Sequence, residues 1–125
     1  MAKKAGAIEK NSYCFGLRIV RLYEYLSKKK QEYVLSKQLL RCGTSVGAMV
    51  RESQNAESRK DFIHKLGIAQ KECDESIYWI RLLHDGGFLS DHEYESIVRD
   101  AEALLKMIRS AILTTKDRTK TPNNS

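Results

Sequence analysis

No proline occurs before Pro122, and this absence constrains the fold more than any other feature of the chain. Proline inside a helix removes a backbone donor and drives its ring into the preceding turn, so a chain meant to run long helices must exclude it. The apolar residues recur accordingly at spacings of three and four. Phe15, Ile19, Leu22 and Leu26 lie on one helix face, and Leu35, Leu39, Cys42, Val46 and Val50 on a second. Phe62, Leu66, Ala69, Cys73, Ile77 and Ile80 form a third face, and Tyr94, Ile97, Ala101, Leu104 and Ile108 a fourth.

Punctuation separates the four stripes. Lys28-Lys29-Lys30-Gln31 reads as a polar connection, and the second helix starts between Tyr33 and Ser36 and fades at Gln54-Asn55. Ser58 caps the third helix, with Asp61 three residues on in the acidic position of a capping box. Gly86-Gly87 ends it, which predicts a helix from Arg59 to Asp85, about 40 Å long at 1.5 Å per residue. Ser90-Asp91-His92-Glu93 opens the fourth helix with a full capping-box pattern. Four helices, short connections and no strand pattern predict an all-α, antiparallel up-down-up-down four-helix bundle. With 125 residues, of which 42% are hydrophobic, one domain with one modest core is expected. The expected limits are a flexible arm at 1–11, a bundle at 12–114 and a disordered basic tail at 115–125.

Several function classes lose support. No run of apolar residues is long enough for a membrane span, and the basic N-terminus lacks the apolar segment of a secretory signal. Cys14, Cys42 and Cys73 are odd in number and widely spaced, which points to buried thiols in a reducing cytoplasm. A carboxylate-bridged metal bundle needs Glu-x-x-His pairs on two helices, and Asp61-x-x-His64 is the only approach to one. No Ser or Cys has the context of an activated nucleophile, and no glycine-rich phosphate loop occurs. The expectation is a protein with no catalytic residues, no metal and no cofactor.

The net charge of +6 is unevenly distributed. Residues 11–60 carry ten basic and four acidic groups, whereas residues 61–115 carry six basic and ten acidic. Arg18, Arg21, Lys28, Lys29, Lys30, Lys37, Arg41, Arg51, Arg59 and Lys60 are therefore candidates for neutralising nucleic-acid phosphates. Alternatively, the basic half of one subunit meets the acidic half of the next, head to tail, and the contacts close into a ring. A solvated surface with pairs inside the chain is the third possibility. Gly43 and Gly47 stand four apart on one helix face, where small residues admit a close backbone. Val98, Leu105 and Ile112 form a spare stripe at sevens, suited to deeper burial or to a subunit contact. Trp79, beside the acidic Glu72, Asp74 and Glu75, is another candidate contact.

Leu35-Ser36-Lys37-Gln38-Leu39-Leu40-Arg41, Gly43-Thr44-Ser45-Val46-Gly47-Ala48 and Arg51-Glu52 together resemble the signature of a bacterial four-helix-bundle family, the ribosomal RNA intervening-sequence proteins. Ser58 to Leu66, Lys71-Glu72, Asp74-Glu75 and Tyr78-Trp79 resemble its second block. The family is similar to the accessory variability protein of diversity-generating retroelements, a pentameric ring that binds nucleic acid. The resemblance thus implies a homo-oligomer, a pentamer if it follows that relative, with a basic surface and no catalysis. Met49 and Ser53 depart from the pattern, which leads one to expect Asn and Ala there. The function expected is a self-assembling, non-catalytic protein that binds RNA or DNA. The alternative is a structural adaptor for a protein partner, with its charges used in assembly.

Overall fold

The computed structural model describes residues 6–120, with side chains described to residue 118. These residues form an all-α chain of four helices: α1 (Ala7–Lys29), α2 (Leu35–Ser53), α3 (Arg59–Asp85) and α4 (Asp91–Lys120). No strand occurs among the described residues, and the arrangement is consistent with a four-helix bundle. α2 packs extensively on α1 and α3, and α3 on α4, while α1 and α4 meet along a sparser seam.

Both outer helices run past their expected ends. α1 begins at Ala7 rather than near Ser12, because the Glu9 carboxylate accepts the Gly6 N–H at 3.0 Å and Ile8 packs against the core. Residues 7–11 are therefore helix rather than arm, and residues 1–5 lie outside the described part. α4 continues to Lys120 instead of giving way near Thr115, whose hydroxyl donates back to the Ala111 carbonyl at 2.8 Å.

The inner boundaries follow the caps. The Ser58 hydroxyl accepts the Asp61 N–H at 3.0 Å, and the Asp61 carboxylate accepts from Glu57 at 3.3 Å. Ser90 and Glu93 make the reciprocal pair of a capping box at 3.1 and 2.8 Å. α2 has no such side-chain cap at Val34. Its N-terminus is held by Glu32, whose buried carboxylate accepts the N–H groups of Val34, Leu35 and Ser36 at 3.1, 2.9 and 2.7 Å. Burial pushes this carboxyl upward, but the hydrogen bonds, led by those from Leu35 and Ser36, win and hold it below its ordinary value. The preceding Gln31 takes the left-handed conformation (φ 54°) that turns the chain.

The core follows the three-four spacing, with corrections. On α3 the buried seam is Leu66, Ala69, Cys73, Ser76, Ile80 and Leu83, so Ser76 occupies the place expected of Ile77, which is half-buried. A strict alternation of three and four, rather than hydrophobicity alone, selects Ser76. Four serines on the seams are buried: Ser12, Ser36, Ser53 and Ser76. Each donates to a carbonyl of its own chain three or four residues back: Glu9, Glu32, Val50 and Glu72 respectively. Of the departures from the family pattern, Ser53 is one of these, and Met49 packs against the core. Cys42 and Cys73 are buried, and burial pushes the Cys73 thiol up to about 12, whereas Cys14, also expected inside, is exposed.

Gly43 and Gly47 bring α1 against α2. A methyl group at Gly43 would stand 2.8 Å from Ile19 Cγ1, and one at Gly47 3.1 Å from the Ser12 carbonyl oxygen. The close contact that two interior glycines imply lies within the chain. The spare stripe on α4 also turns inward. Leu105 and Ile112 are 7% and 8% exposed and belong to the core, with Val98 packed against it.

Candidate nucleic-acid interface

The ten candidate cations are two engaged arginines, two exposed clusters and Arg21. Arg18 and Arg41 are engaged within the chain. Arg18 reaches from α1 to the Asp100 carboxylate and the Ser96 hydroxyl on α4, both at 2.6 Å. Arg41 spans from α2 to Glu75 at 2.7 Å and Glu72 at 3.3 Å on α3. The hydrogen bond to Glu75, with the charge of both carboxylates, raises the Arg41 guanidinium above its ordinary value. Glu75 is lowered by accepting the Trp79 indole N–H at 2.9 Å and by Arg41. The polar handle of Trp79 is thereby used inside the molecule, and its half-buried ring packs against the core.

The other eight cations are exposed and, among the described residues, form no ion pair. Lys28, Lys29, Lys30 and Lys37 surround the α1–α2 connection. Arg51, Arg59 and Lys60 surround the α2–α3 connection at the other end of α2. From Lys37 to Arg51 is about 21 Å along the helix axis. Arg21 stands between, on α1. The arrangement is two cationic clusters at opposite ends of the first hairpin rather than one continuous stripe. Each offers several exposed positive charges, which suits phosphate contact.

The charge division between the hairpins is partly neutralised at home. Arg18–Asp100 and Arg41–Glu72/Glu75 each join a cation of the first hairpin to an anion of the second, and Lys65–Glu52 at 3.2 Å joins them with the signs reversed.

One surface feature was not singled out from the sequence. Tyr13, Leu17 and Val20 are 72%, 43% and 38% exposed, spaced four and three along α1. With Gly16, Thr44 and Ala48 they line an apolar groove of about 650 Å³ on the outside of α1 and α2, with Lys10 and Arg51 also in its walls. Its sequence signal is a second apolar stripe beside Phe15, Ile19 and Leu26, masked by the stronger buried one.

Among the described residues, no three His, Cys, Asp or Glu side chains gather as a metal site requires. His64 and His92 are exposed. His84 bonds Asp91 at 2.7 Å and Asp85 at 3.3 Å and stacks on Tyr94 with ring centroids 4.2 Å apart. No helix of the described residues is long and apolar enough to cross a membrane.

No curated protein matches the chain. A crystal structure of a protein of unknown function from the S23 ribosomal protein family, from Bacteroides thetaiotaomicron, is 44% identical, with a TM-score of 0.84. The match covers 85% of this chain and 98% of that one. The pattern of the 23S rRNA-intervening sequence proteins matches residues 6–110, almost the whole of the described helical part. The chain belongs to the 23S rRNA-intervening sequence protein family.

Proposed function

We propose that this is a non-catalytic, self-assembling protein of the cytoplasm that associates with RNA or DNA through phosphate contacts. The observation that carries the reading is the pair of exposed cationic clusters, Lys28-Lys29-Lys30 with Lys37 and Arg51 with Arg59 and Lys60. The family's name, which ties it to ribosomal RNA insertions, agrees with it. In this reading the helices run up-down-up-down, each antiparallel to the next. The pairs Glu52–Lys65 and Arg41–Glu72 support that direction for α2 and α3, as Arg18–Asp100 and Asn11–Met107 do for α1 and α4. Self-assembly is supported by the uncovered apolar groove on α1 and α2.

Binding independent of sequence is expected, because phosphates position a protein without specifying bases. The test is affinity for RNA and for DNA across a salt series, on protein of measured oligomeric state. Affinity should fall with salt by a log–log slope of about −0.9 per duplex phosphate neutralised, or about −0.7 on single strands. Replacing Lys28, Lys29 and Lys30 by Gln should flatten the slope by about one to three such increments. Wild-type protein that binds neither nucleic acid at low salt would refute this reading. It would leave the structural adaptor for a protein partner as the better reading.

A further inference from the structure

We infer that the α1–α2 connection binds single-stranded nucleic acid, with the Tyr33 ring stacking on an unpaired base while Lys28, Lys29, Lys30 and Lys37 hold the flanking phosphates. The inference rests on the nucleic-acid reading above and names the strand form and the side chain that selects it.

Tyr33 and Val34 are 55% and 72% exposed, side by side in the turn between α1 and α2. This turn is tied down on both sides of the ring. The Glu32 N–H donates to the Leu26 carbonyl at 2.9 Å, and the Glu32 carboxylate accepts the N–H groups of Val34 and Leu35 at 3.1 and 2.9 Å. Tyr33 therefore stands on a fixed backbone with its side chain open to solvent. An aromatic ring held in this way loses little freedom when a base stacks on it.

The charges around the ring favour a polyanion. Lys28 and Lys29 lie in the last turn of α1, where a cation complements the helix dipole. Lys37 lies in the first turn of α2, where a cation opposes it, so helix stability does not account for its place. The carboxylate of the connection, Glu32, is buried and engaged by three backbone N–H groups, which leaves the lysines without an acidic neighbour in the turn. At the α3–α4 connection Asp85 and Asp91 both pair with His84. The second cationic cluster differs. Glu52, Glu57 and Asp61 stand among Arg51, Arg59 and Lys60, and residues 54–58 include no aromatic side chain.

That pairing of ring and lysines decides the strand form. Phosphate contact alone favours the duplex, whose charge density is higher. An exposed ring reverses the preference, because bases in a duplex already stack on one another and those of a single strand present open faces. Stacking of this kind tolerates any sequence, since every base has a π face.

The experiment measures affinity at low salt by fluorescence anisotropy, on the full chain, for labelled oligothymidylate, an abasic strand of equal length and a duplex of equal length. Oligothymidylate should bind about ten-fold tighter than the abasic strand, and tighter than the duplex. Tyr33→Ala should weaken oligothymidylate about ten-fold and leave the other two within about two-fold, with an unchanged circular dichroism spectrum. Tyr33→Phe keeps the ring and should stay within about two-fold of wild type on every probe. Wild-type protein that binds none of the three would overturn the nucleic-acid reading and this inference with it. A duplex or abasic strand bound as tightly as oligothymidylate, or a Tyr33→Ala variant that keeps wild-type affinity for it, would overturn this inference alone. Tyr33-dependent binding to phosphatidylglycerol vesicles without a preference for oligothymidylate would also overturn it, and would assign the surface to a membrane.

Discussion

Gly43→Ala and Gly67→Ala make the same chemical change in the interior of two helices, and the structure predicts opposite outcomes. In an open helix the exchange stabilises by up to about 1 kcal/mol, because alanine loses less backbone entropy on folding. A methyl group at Gly67 would meet nothing within 4 Å, so that gain should appear in full. At Gly43 it would lie 2.8 Å from Ile19 Cγ1, 3.0 Å from Cγ2 and 3.3 Å from Cβ. Carbon atoms in contact prefer about 3.5–4.0 Å, so α1 and α2 must part by about 0.7 Å or Ile19 must leave its rotamer. Ile19 is fully buried and β-branched, which denies it an easy alternative. Overpacking of this kind costs about 1–3 kcal/mol, and after the propensity gain Gly43→Ala should be destabilised by about 1 kcal/mol. The two variants should thus differ by about 2 kcal/mol. The assay is urea unfolding followed by circular dichroism, at one protein concentration because assembly contributes to apparent stability. Gly43→Ala found as stable as Gly67→Ala would refute the close approach of α1 to α2.

Other outcomes follow from the same structure. Leu66→Ala, at a side chain 1% exposed, should cost about 2–5 kcal/mol in the same assay, and a loss under about half a kcal/mol would place that residue on the surface. Glu32→Gln should cost about 1–2 kcal/mol at about pH 7, because a neutral amide replaces a carboxylate that accepts three backbone N–H groups. Glu32 is lowered in the folded state, so its contribution is complete above its unfolded value of 4.5 and is lost as pH falls through the lower folded value. The gap between wild type and Glu32→Gln should close in acid, and a gap independent of pH would refute the role of the charge. His84 is raised, chiefly by its hydrogen bond to Asp91. Its contribution is present below the ordinary value of 6.5 and is lost as pH rises through the folded value. An NMR titration should show His84 above the ordinary value in the wild type and lowered in Asp91→Asn, where Asp85 still acts on it. An unchanged titration would refute the pairing.

Much of the fold was legible because its signals are local. Stripes of one spacing, Ser58, Ser90-Glu93 and Gly86-Gly87 lie within a few residues of the boundaries they set, and the structure puts α3 at Arg59–Asp85 as read. What was not legible depends on neighbours distant in sequence or on competition between faces. Glu32 caps α2 from three residues before its start, just after the turn made by Gln31, and fits no common capping pattern. Leu105 and Ile112 read equally as core or contact until α4 is packed on α3. The charge division looked like an intermolecular signal because Arg18 is far from Asp100, and Arg41 from Glu75, in sequence but not in space. Tyr13, Leu17 and Val20 were hidden for the opposite reason: apolar residues on a helix that already has a buried stripe attract no notice until the stripe is filled.

The four buried serines have a consequence for how this bundle tolerates change. Each hydroxyl donates within its own chain segment, three or four residues back, so none requires a donor or acceptor on a facing helix. Of the four hydroxyls, that of Ser76 also donates to a group of another helix, Cys42 Sγ at 3.3 Å. A serine that bridged two helices would leave an orphaned partner when removed, and its exchange would couple to that partner. The exchange of Ser12, Ser36 or Ser53 leaves no orphaned partner on a facing helix. Alanine at Ser12, Ser36 and Ser53 should therefore change stability independently, the three effects summing. The seams are held in register by shape, through Gly43 against Ile19 and Gly47 against Ser12, and their polar atoms can be edited one helix at a time.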